Sequence, residues 1–393
     1  SDKKKGGQFG HIGSTYTKEK LESEIKEKNL KVVTITHTIQ GKENQEPLVK
    51  YRLGLKTAVV VYKHVFKFSS KSVETLPREF QTDVTYDVSI KTTALNLDTL
   101  NVVSLDRQTD FFSAITDDFL HIGKGTLMNF KKEFSLKAQS TLENIENNLH
   151  NGKTIFTDET SSKNNGQKIY TRNYSNPDNV LYKMHPNKRH DPIKADGILT
   201  KYLGGIMGDH DTTLYKYGTK RYECNIHVGR YLQEIIKLVP DVKWVHNMKT
   251  LLFKMKATRE VAIEFGCTHF IQEKLNEYNL EFNEVLESSL LEDKNIKSKT
   301  FRGKAEKLRR RLLKYKMNRI YFIYDFEVPF DNNLSESDIR IFKINTKVSG
   351  GFRSLKGAQY FADALSVIKT AKKRKMNPTK VIESIFNNQA LFS

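Results

Sequence analysis

The sequence predicts an α/β protein. Three observations carry that prediction. β-Branched and aromatic residues gather in strand-length runs at 31–38, 57–67 and again between 153 and 209. Apolar residues recur at helical spacing through much of 87–149 and 222–316. Between 153 and 209 three strand runs are followed by a helix and a fourth strand, a pattern that builds a sheet with helices against it. The chain has 393 residues, room for two or three domains and a sizeable core. Its 23 Phe and 17 Tyr argue against wholesale disorder. Lys plus Arg number 65 against 46 Asp plus Glu, and the net charge of +19 points to a polyanionic partner. Nucleic acid is the first reading and an anionic membrane surface the second; no apolar run approaches the ~20 residues of a membrane span. Two cysteines, Cys224 and Cys267, cannot form a disulfide framework and point to a reducing compartment. No signal peptide opens the chain, and its polar start at Ser1 without Met reads as a fragment or a processed chain.

Residues 1–30 read as a glycine-rich arm and a first helix. Lys3, Lys4 and Lys5 lead into Gly6, Gly7, Gly10 and Gly13, which will not hold a helix. Residues 31–86 form a small β-rich region around a polar turn at 41–47. Residues 87–150 form a helical region in which Val88, Ile90, Ala94, Leu95 and Leu97 fit one buried face. Ser104 is placed to cap a helix continuing through Phe111, Phe112 and Ile115. Gly123 and Gly125 mark a turn, and a second helix opens at Thr126 and runs, with a short break, to Asn148. Helix, short turn, helix is compatible with a helix-turn-helix DNA reader. Lys124, Lys131 and Lys132 supply cations for phosphate anchoring.

Residues 151–220 hold the first part of a core. A short strand at 153–158 ends in Asp158, strands follow at 168–172 and 180–184, and Asn176-Pro177-Asp178-Asn179 turns between them. A helix covers 193–202, and a strand at 204–209 ends in Asp209. This is the outline of a ribonuclease-H-like core. Residues 221–319 read as an all-α insertion, with helical spacing through 263–292, a basic helix at 305–316 and Trp244 in its interior. Residues 320–393 return to the core. The run 320–326 is β or buried apolar chain, and a helix starts near Leu334 with Asn333 at its cap. Ser349-Gly350-Gly351 breaks the chain before a helix at 355–375 and a shorter one after Pro378.

Three carboxylates stand out by position: Asp158, Asp209 and Glu336. Phosphodiester chemistry needs hard oxygen ligands for two magnesium ions, and acids at adjacent strand ends with a third on a helix can supply them. Asp209 lies 51 residues after Asp158 and Glu336 a further 127 after that, so the long second interval implies the inserted helical domain. Glu159, Asp211, Asp325 and Glu327 are neighbouring acids that could take these places.

The segment from Asp325-Phe326-Glu327-Val328-Pro329-Phe330 through Ser335-Glu336-Ser337-Asp338-Ile339-Arg340 resembles the C-terminal signature of the insertion-sequence-66 family of bacterial DDE transposases. Its continuation, Lys347-Val348-Ser349-Gly350-Gly351-Phe352-Arg353-Ser354, is similar as well. So are Thr157-Asp158-Glu159-Thr160, Gly208-Asp209-His210, the Cys224-Asn225-Ile226-His227 segment and the glycine-rich arm. The resemblance runs from residue 6 to about 375 and is strongest after 320. It implies a cut-and-join enzyme with Asp158, Asp209 and Glu336 as catalytic metal ligands for Mg²⁺, for which Mn²⁺ substitutes. It implies that the helical region binds DNA, that transposon ends and target DNA are the substrates, and that a dimer or larger assembly forms on DNA. A bacterial cytoplasmic, nucleoid-associated location follows, with accessory proteins as further partners. Relatives carry a cysteine zinc motif after the glycine-rich arm. This chain has no cysteine before Cys224, so no zinc is expected. Relatives also have a longer helical N-terminus.

Other residues support that reading. Glu336, Arg340, Lys343 and Lys347 share one helix face, an acid followed by a phosphate-tracking stripe. Arg353 follows two glycines and can reach a phosphate from a tight turn. Cys224 and His227 have the spacing of half a zinc site, with Cys267 and His269 as conceivable partners, but are read as site-supporting together with Arg230. Arg309, Arg310 and Arg311 lie in the densest basic segment and are read as DNA-backbone contacts. The rival from another class is a catalytically silent, transposase-derived DNA-binding protein, against which the three acids speak. A ribonuclease-H-like nuclease for structured DNA is a third reading, separable by strand-transfer products.

Overall fold

The computed structural model describes residues 18–27, 32, 34, 59–63, 84–188 and 190–393. The glycine-rich arm and most of the expected β-rich region lie outside the described residues. The chain divides into two units, 1–64 and 65–393. In the first, the described residues include one helix, α1 (Lys18–Glu27).

The second unit opens with four helices: α2 (Val88–Thr99), α3 (Leu105–Ile115), α4 (Lys124–Lys137) and α5 (Gln139–His150). Asp87 starts α2 by accepting the Ser89 N–H at 2.9 Å. Ser104 precedes α3 as expected, but its hydroxyl makes no cap bond. Gly125 lies inside α4 rather than in a turn.

The sheet follows: β1 (Thr154–Asn164), β2 (Gln167–Ser175), β3 (Val180–His185), β4 (Gly205–Gly208) and β5 (Lys220–Glu223). Its order is β3-β2-β1-β4-β5. β1, β2 and β3 pair antiparallel, whereas β4 is parallel to both β1 and β5. Between β3 and β4 the expected single helix is two, α6 (His190–Asp196) and α7 (Ile198–Lys201), because Gly197 sits at φ +74°. Asp158 is not at the end of its strand. β1 runs six residues further in its hairpin with β2, although its ladder with β4 stops at Phe156. β5 was not expected at all.

Five helices separate β5 from the last core helices: α8 (Asn225–Leu238), α9 (Lys243–Glu264), α10 (Gln272–Lys294), α11 (Lys299–Lys314) and α12 (Lys316–Ile320). Trp244 is fully buried among them. The spacing through 263–292 does not mark one helix, since the chain breaks between α9 and α10 at Gly266, φ +79°. The run 320–326 is buried and apolar but not a strand. It continues α12 as a 3₁₀ turn at Tyr321–Ile323.

α13 (Asn333–Ser349), α14 (Leu355–Lys373) and α15 (Pro378–Phe386) complete the unit. Asn332, one residue earlier than expected, precedes α13, and Gly350 at φ +70° ends it. α13 and α14 pack on β2 and β3 through Ile169, Tyr182, Phe342 and Phe361. A second core joins α2–α5, α14 and α15 to the sheet through Ile155, Tyr174 and Ile206. β3 is an edge strand, and α14 supplies what a neighbouring strand would. The N–H groups of Val180, Tyr182 and Met184 donate to Thr370 Oγ1, Ser366 Oγ and Gln359 Oε1 at 3.1, 3.0 and 2.9 Å. At the other edge Asn318 Nδ2 donates to the carbonyl of Arg221 in β5.

Candidate active site

Three elements carry the acids. Asp158 lies within β1 just past the parallel ladder, Asp209 follows the last residue of β4, and Glu336 lies in the first turn of α13. The parallel ladder of β1 and β4 stops at Phe156 and Met207, so both aspartates lie just past the same end of that ladder. Asp158 is largely buried. Burial, with the charges of Asp209 and Glu336, pushes its carboxyl up to about 6, against a bond from the Glu159 N–H and the nearby Lys343.

His227, from the first turn of α8, points between the other two acids. Its Nδ1 is 2.6 Å from Asp209 Oδ1 and 3.6 Å from Glu336 Oε1. Neither approach has hydrogen-bond geometry, so three buried atoms face one another without a bonding partner. The Asp209 carboxylate, then Cys224, hold the imidazole up at about 10 despite its burial. Arg230 reaches His227 Nε2 at 3.2 Å and Glu336 Oε2 at 3.8 Å. Asp209, Cys224, His227 and Glu336 each offer a donor atom within 4.8 Å of the others. Asp158 is not part of that group, although its carboxyl feels the charges of Asp209 and Glu336. The Asp209 and Glu336 oxygens, which accept no hydrogen bond and have the His227 imidazole between them, offer hard ligands that fit a divalent cation such as Mg²⁺ or Mn²⁺. The imidazole and thiol are the softer donors of the set, and Cys224 Sγ already accepts the Asn332 N–H at 3.3 Å. Cys267 and His269 lie in the α9–α10 connection, outside this group.

A layer of buried charge holds the acids in place. Arg221 donates to the carbonyls of Ile206, Tyr222 and Asp209 at 2.8, 2.8 and 2.6 Å, fixing the backbone of the second acid. A Cβ at Gly208 would lie 2.9 Å from Thr157 O and 3.0 Å from Arg221 Nη2, so glycine lets the strand pass there. Glu223 collects Tyr215, His210 and Arg319. Arg172 joins Glu159 at 2.8 Å to Asp211 at 3.5 Å. Glu327 pairs with Lys153 and Asp325 accepts the Glu327 N–H, so the neighbouring acids have other partners.

The cations divide. Arg340, Lys343, Lys347 and Arg353 are exposed beside or beyond the acids on α13 and the loop after it. Lys132 and Arg310 are exposed too, although Arg310 pairs with Glu306, and Lys124 pairs with Asp106 at the surface. Lys131 is not available to a phosphate: it is buried in α4 against Asp98 at 2.9 Å. Arg309 is likewise turned inward onto Asp293, which also accepts Trp244 Nε1 at 2.9 Å. Arg311 lies against the Tyr231 ring, 5.0 Å from its centroid.

Sequence reading missed Arg221, Asn173 and Asn332. Asn173 had a signal: an asparagine inside a strand-forming run breaks local preference, as residues at functional sites tend to.

Acids just past the ladder of two parallel strands and on the adjoining helix, with exposed cations along that helix, define an α/β protein with a carboxylate-rich candidate site. A family model described as "Transposase IS66 family" matches residues 84–360, and the chain belongs to that family. No curated protein and no solved structure matches it.

Proposed function

We propose that this chain is a DDE-type transposase that cleaves DNA at the ends of its element and joins the freed 3′ ends to target DNA. The observation that carries the reading is the clustering of Asp209 and Glu336 around His227, with Asp158 close enough to feel both their charges, in a basic protein. Family membership supports it independently. The strand order, with β2 alone running against β1, β3, β4 and β5, supports reading the sheet as ribonuclease-H-like and α8–α12 as a helical insertion.

In this reading the three carboxylates hold Mg²⁺ or Mn²⁺, which when bound lowers the pKa of an attacking water and stabilises a leaving oxygen. The chain's own residues do the rest. Asp209 is aimed by Arg221 through its backbone, and Glu336 is aimed by the first turn of α13. Arg230, Arg340 and Lys343 draw the scissile phosphate toward the acids and offset their repulsion of DNA. His227 keeps a proton at the Asp209 side. Cleavage and joining are both in-line displacements at phosphorus, so one site serves both. Lys347, Arg353, Lys132, Arg310 and Arg311 extend the DNA track, and α3 and α4 belong to an end-binding region within 87–150. Pairing two DNA ends calls for at least a dimer on DNA, in the bacterial cytoplasm. Among the described residues no helix is long and apolar enough to cross a membrane.

The test uses labelled DNA carrying the element's ends. Asp158→Ala, Asp209→Ala and Glu336→Ala each abolish Mg²⁺-dependent cleavage while mobility-shift affinity is kept. Cleavage surviving in all three, or loss of binding alongside cleavage, would sink the assignment.

A further inference from the structure

Two asparagines grip one peptide group. The unit linking Thr157 to Asp158 offers a carbonyl and an N–H on the strand that carries the first acid. Asn332 Nδ2 donates to the Thr157 carbonyl at 3.0 Å, and Asn173 Oδ1 accepts the Asp158 N–H at 2.9 Å. Both asparagines are fully buried. Both also hold the start of α13. Asn332 precedes that helix, and its backbone carbonyl accepts the Glu336 N–H at 3.1 Å. Asn173 Oδ1 takes the Ser335 hydroxyl at 2.8 Å, and its Nδ2 donates to the Ser335 carbonyl and to Ser175 Oγ at 3.1 Å each.

Asn173 therefore makes all four bonds a carboxamide can make. Three of them end on Asp158 or Ser335, residues that are remote in sequence and adjacent in space. No similar side chain reproduces the set. Aspartate keeps the acceptor but loses both donors, and adds a charge beside Asp158. Leucine loses every bond and leaves the Asp158 N–H and the Ser335 hydroxyl without their partner in a dry interior. Asn332 keeps a buried Oδ1 without a partner, so it is the less completely engaged of the two.

We infer that Asn173 is a positioning residue that sets the separation of Asp158 and Glu336, and so the affinity of the site for its divalent cation. It touches no reacting atom. It acts by bonding the backbone of the first acid and the helix turn of the third through one amide. This rests on the reading of those acids as metal ligands.

The experiment measures Mn²⁺ binding by titration calorimetry and by electron paramagnetic resonance on the full chain without DNA, then Mn²⁺-dependent cleavage of end DNA. Asn173→Ala should weaken Mn²⁺ affinity about tenfold and move the Mn²⁺ concentration for half-maximal cleavage by a similar factor, with cleavage regained at high Mn²⁺. Ser335→Ala removes one of the four bonds and should give a smaller shift in the same direction. It also serves if Asn173→Ala fails to fold. Asn179→Ala is the control. Asn179 is a buried asparagine of the β2–β3 turn bonded to Asn176, so its loss should lower thermal stability without moving Mn²⁺ affinity. Wild-type Mn²⁺ affinity in Asn173→Ala and Ser335→Ala, or an equal shift in Asn179→Ala, overturns the inference. Asp158→Ala separates the two layers of argument. If Asp158→Ala also binds Mn²⁺ like the wild type, the metal-ligand reading has failed; if it alone loses binding, only the role of Asn173 has.

Discussion

Removing the charge of Asp158 should stabilise the metal-free protein. Its carboxyl is pushed from an ordinary 3.8 up to about 6, first by burial and then by Asp209 and Glu336. Holding the ionised form at neutral pH therefore costs the fold about 3 kcal/mol, at ~1.4 kcal/mol for each tenfold change in the proton equilibrium. The sign follows from linkage. Between pH 3.8 and about 6 the folded chain binds the Asp158 proton more tightly than the unfolded chain does. Stability from this group is complete below that window and falls as pH rises through it. Asp158→Asn deletes the charge and keeps the Oδ1 that accepts the Glu159 N–H at 2.7 Å. In EDTA at pH 7.5 the variant should unfold later in urea, by up to about 3 kcal/mol, and a few degrees later on heating. Near pH 4 the two proteins should coincide. Mn²⁺ should then raise the midpoint of the wild type and leave the variant nearly unmoved. A variant no more stable than wild type at pH 7.5, or one whose advantage is undiminished at pH 4, would refute the electrostatic account of the site.

Three further outcomes are expected. The raised His227 titration contributes stability that is full below about pH 6.5 and is lost as pH rises through about 10; His227→Gln should flatten the wild-type decline in urea midpoint between pH 7 and 10. Arg319 and Glu223 are a fully buried ion pair, so Arg319→Ala should destabilise by up to about 3–5 kcal/mol, because it removes the guanidinium from Glu223 and leaves only His210 and Tyr215 on that carboxylate, which equilibrium unfolding will read directly. Lys343→Ala and Arg340→Ala should weaken binding to any duplex alike and each reduce the slope of log affinity against log salt by about 1; a loss confined to one sequence would mean that these cations contact bases.

Much of the site was legible because acids at strand ends are a local pattern. Asp209 stands directly after β4, as the run Gly204 to Asp209 foretold, and Glu336 falls in the first turn of its helix. The strand-end expectation for Asp158 holds only in part: the chain does leave its parallel neighbour there, but hairpin pairing with β2 carries the strand on to Asn164. β5 was illegible because Lys220–Glu223 is four residues long and largely charged, and its strand character comes from pairing with β4. The run at 320–326 shows the opposite limit, since burial alone does not tell a short strand from a helical turn. Lys131 and Arg309 were misread because nothing near them in the chain announces Asp98 or Asp293, which meet them only through packing. Asn173 owes its importance to Ser335, 162 residues away, a relation no spacing encodes.

The capped edges of the sheet limit how two copies can meet. Strand addition needs free N–H and C=O groups along an edge. On β3 the outward N–H groups of Val180, Tyr182 and Met184 are already taken by α14 side chains, and on β5 the Arg221 carbonyl is taken by Asn318. A zipper of main chains between sheets would have to break those bonds first. Self-association at these edges is therefore left to side-chain surfaces or to a shared DNA scaffold.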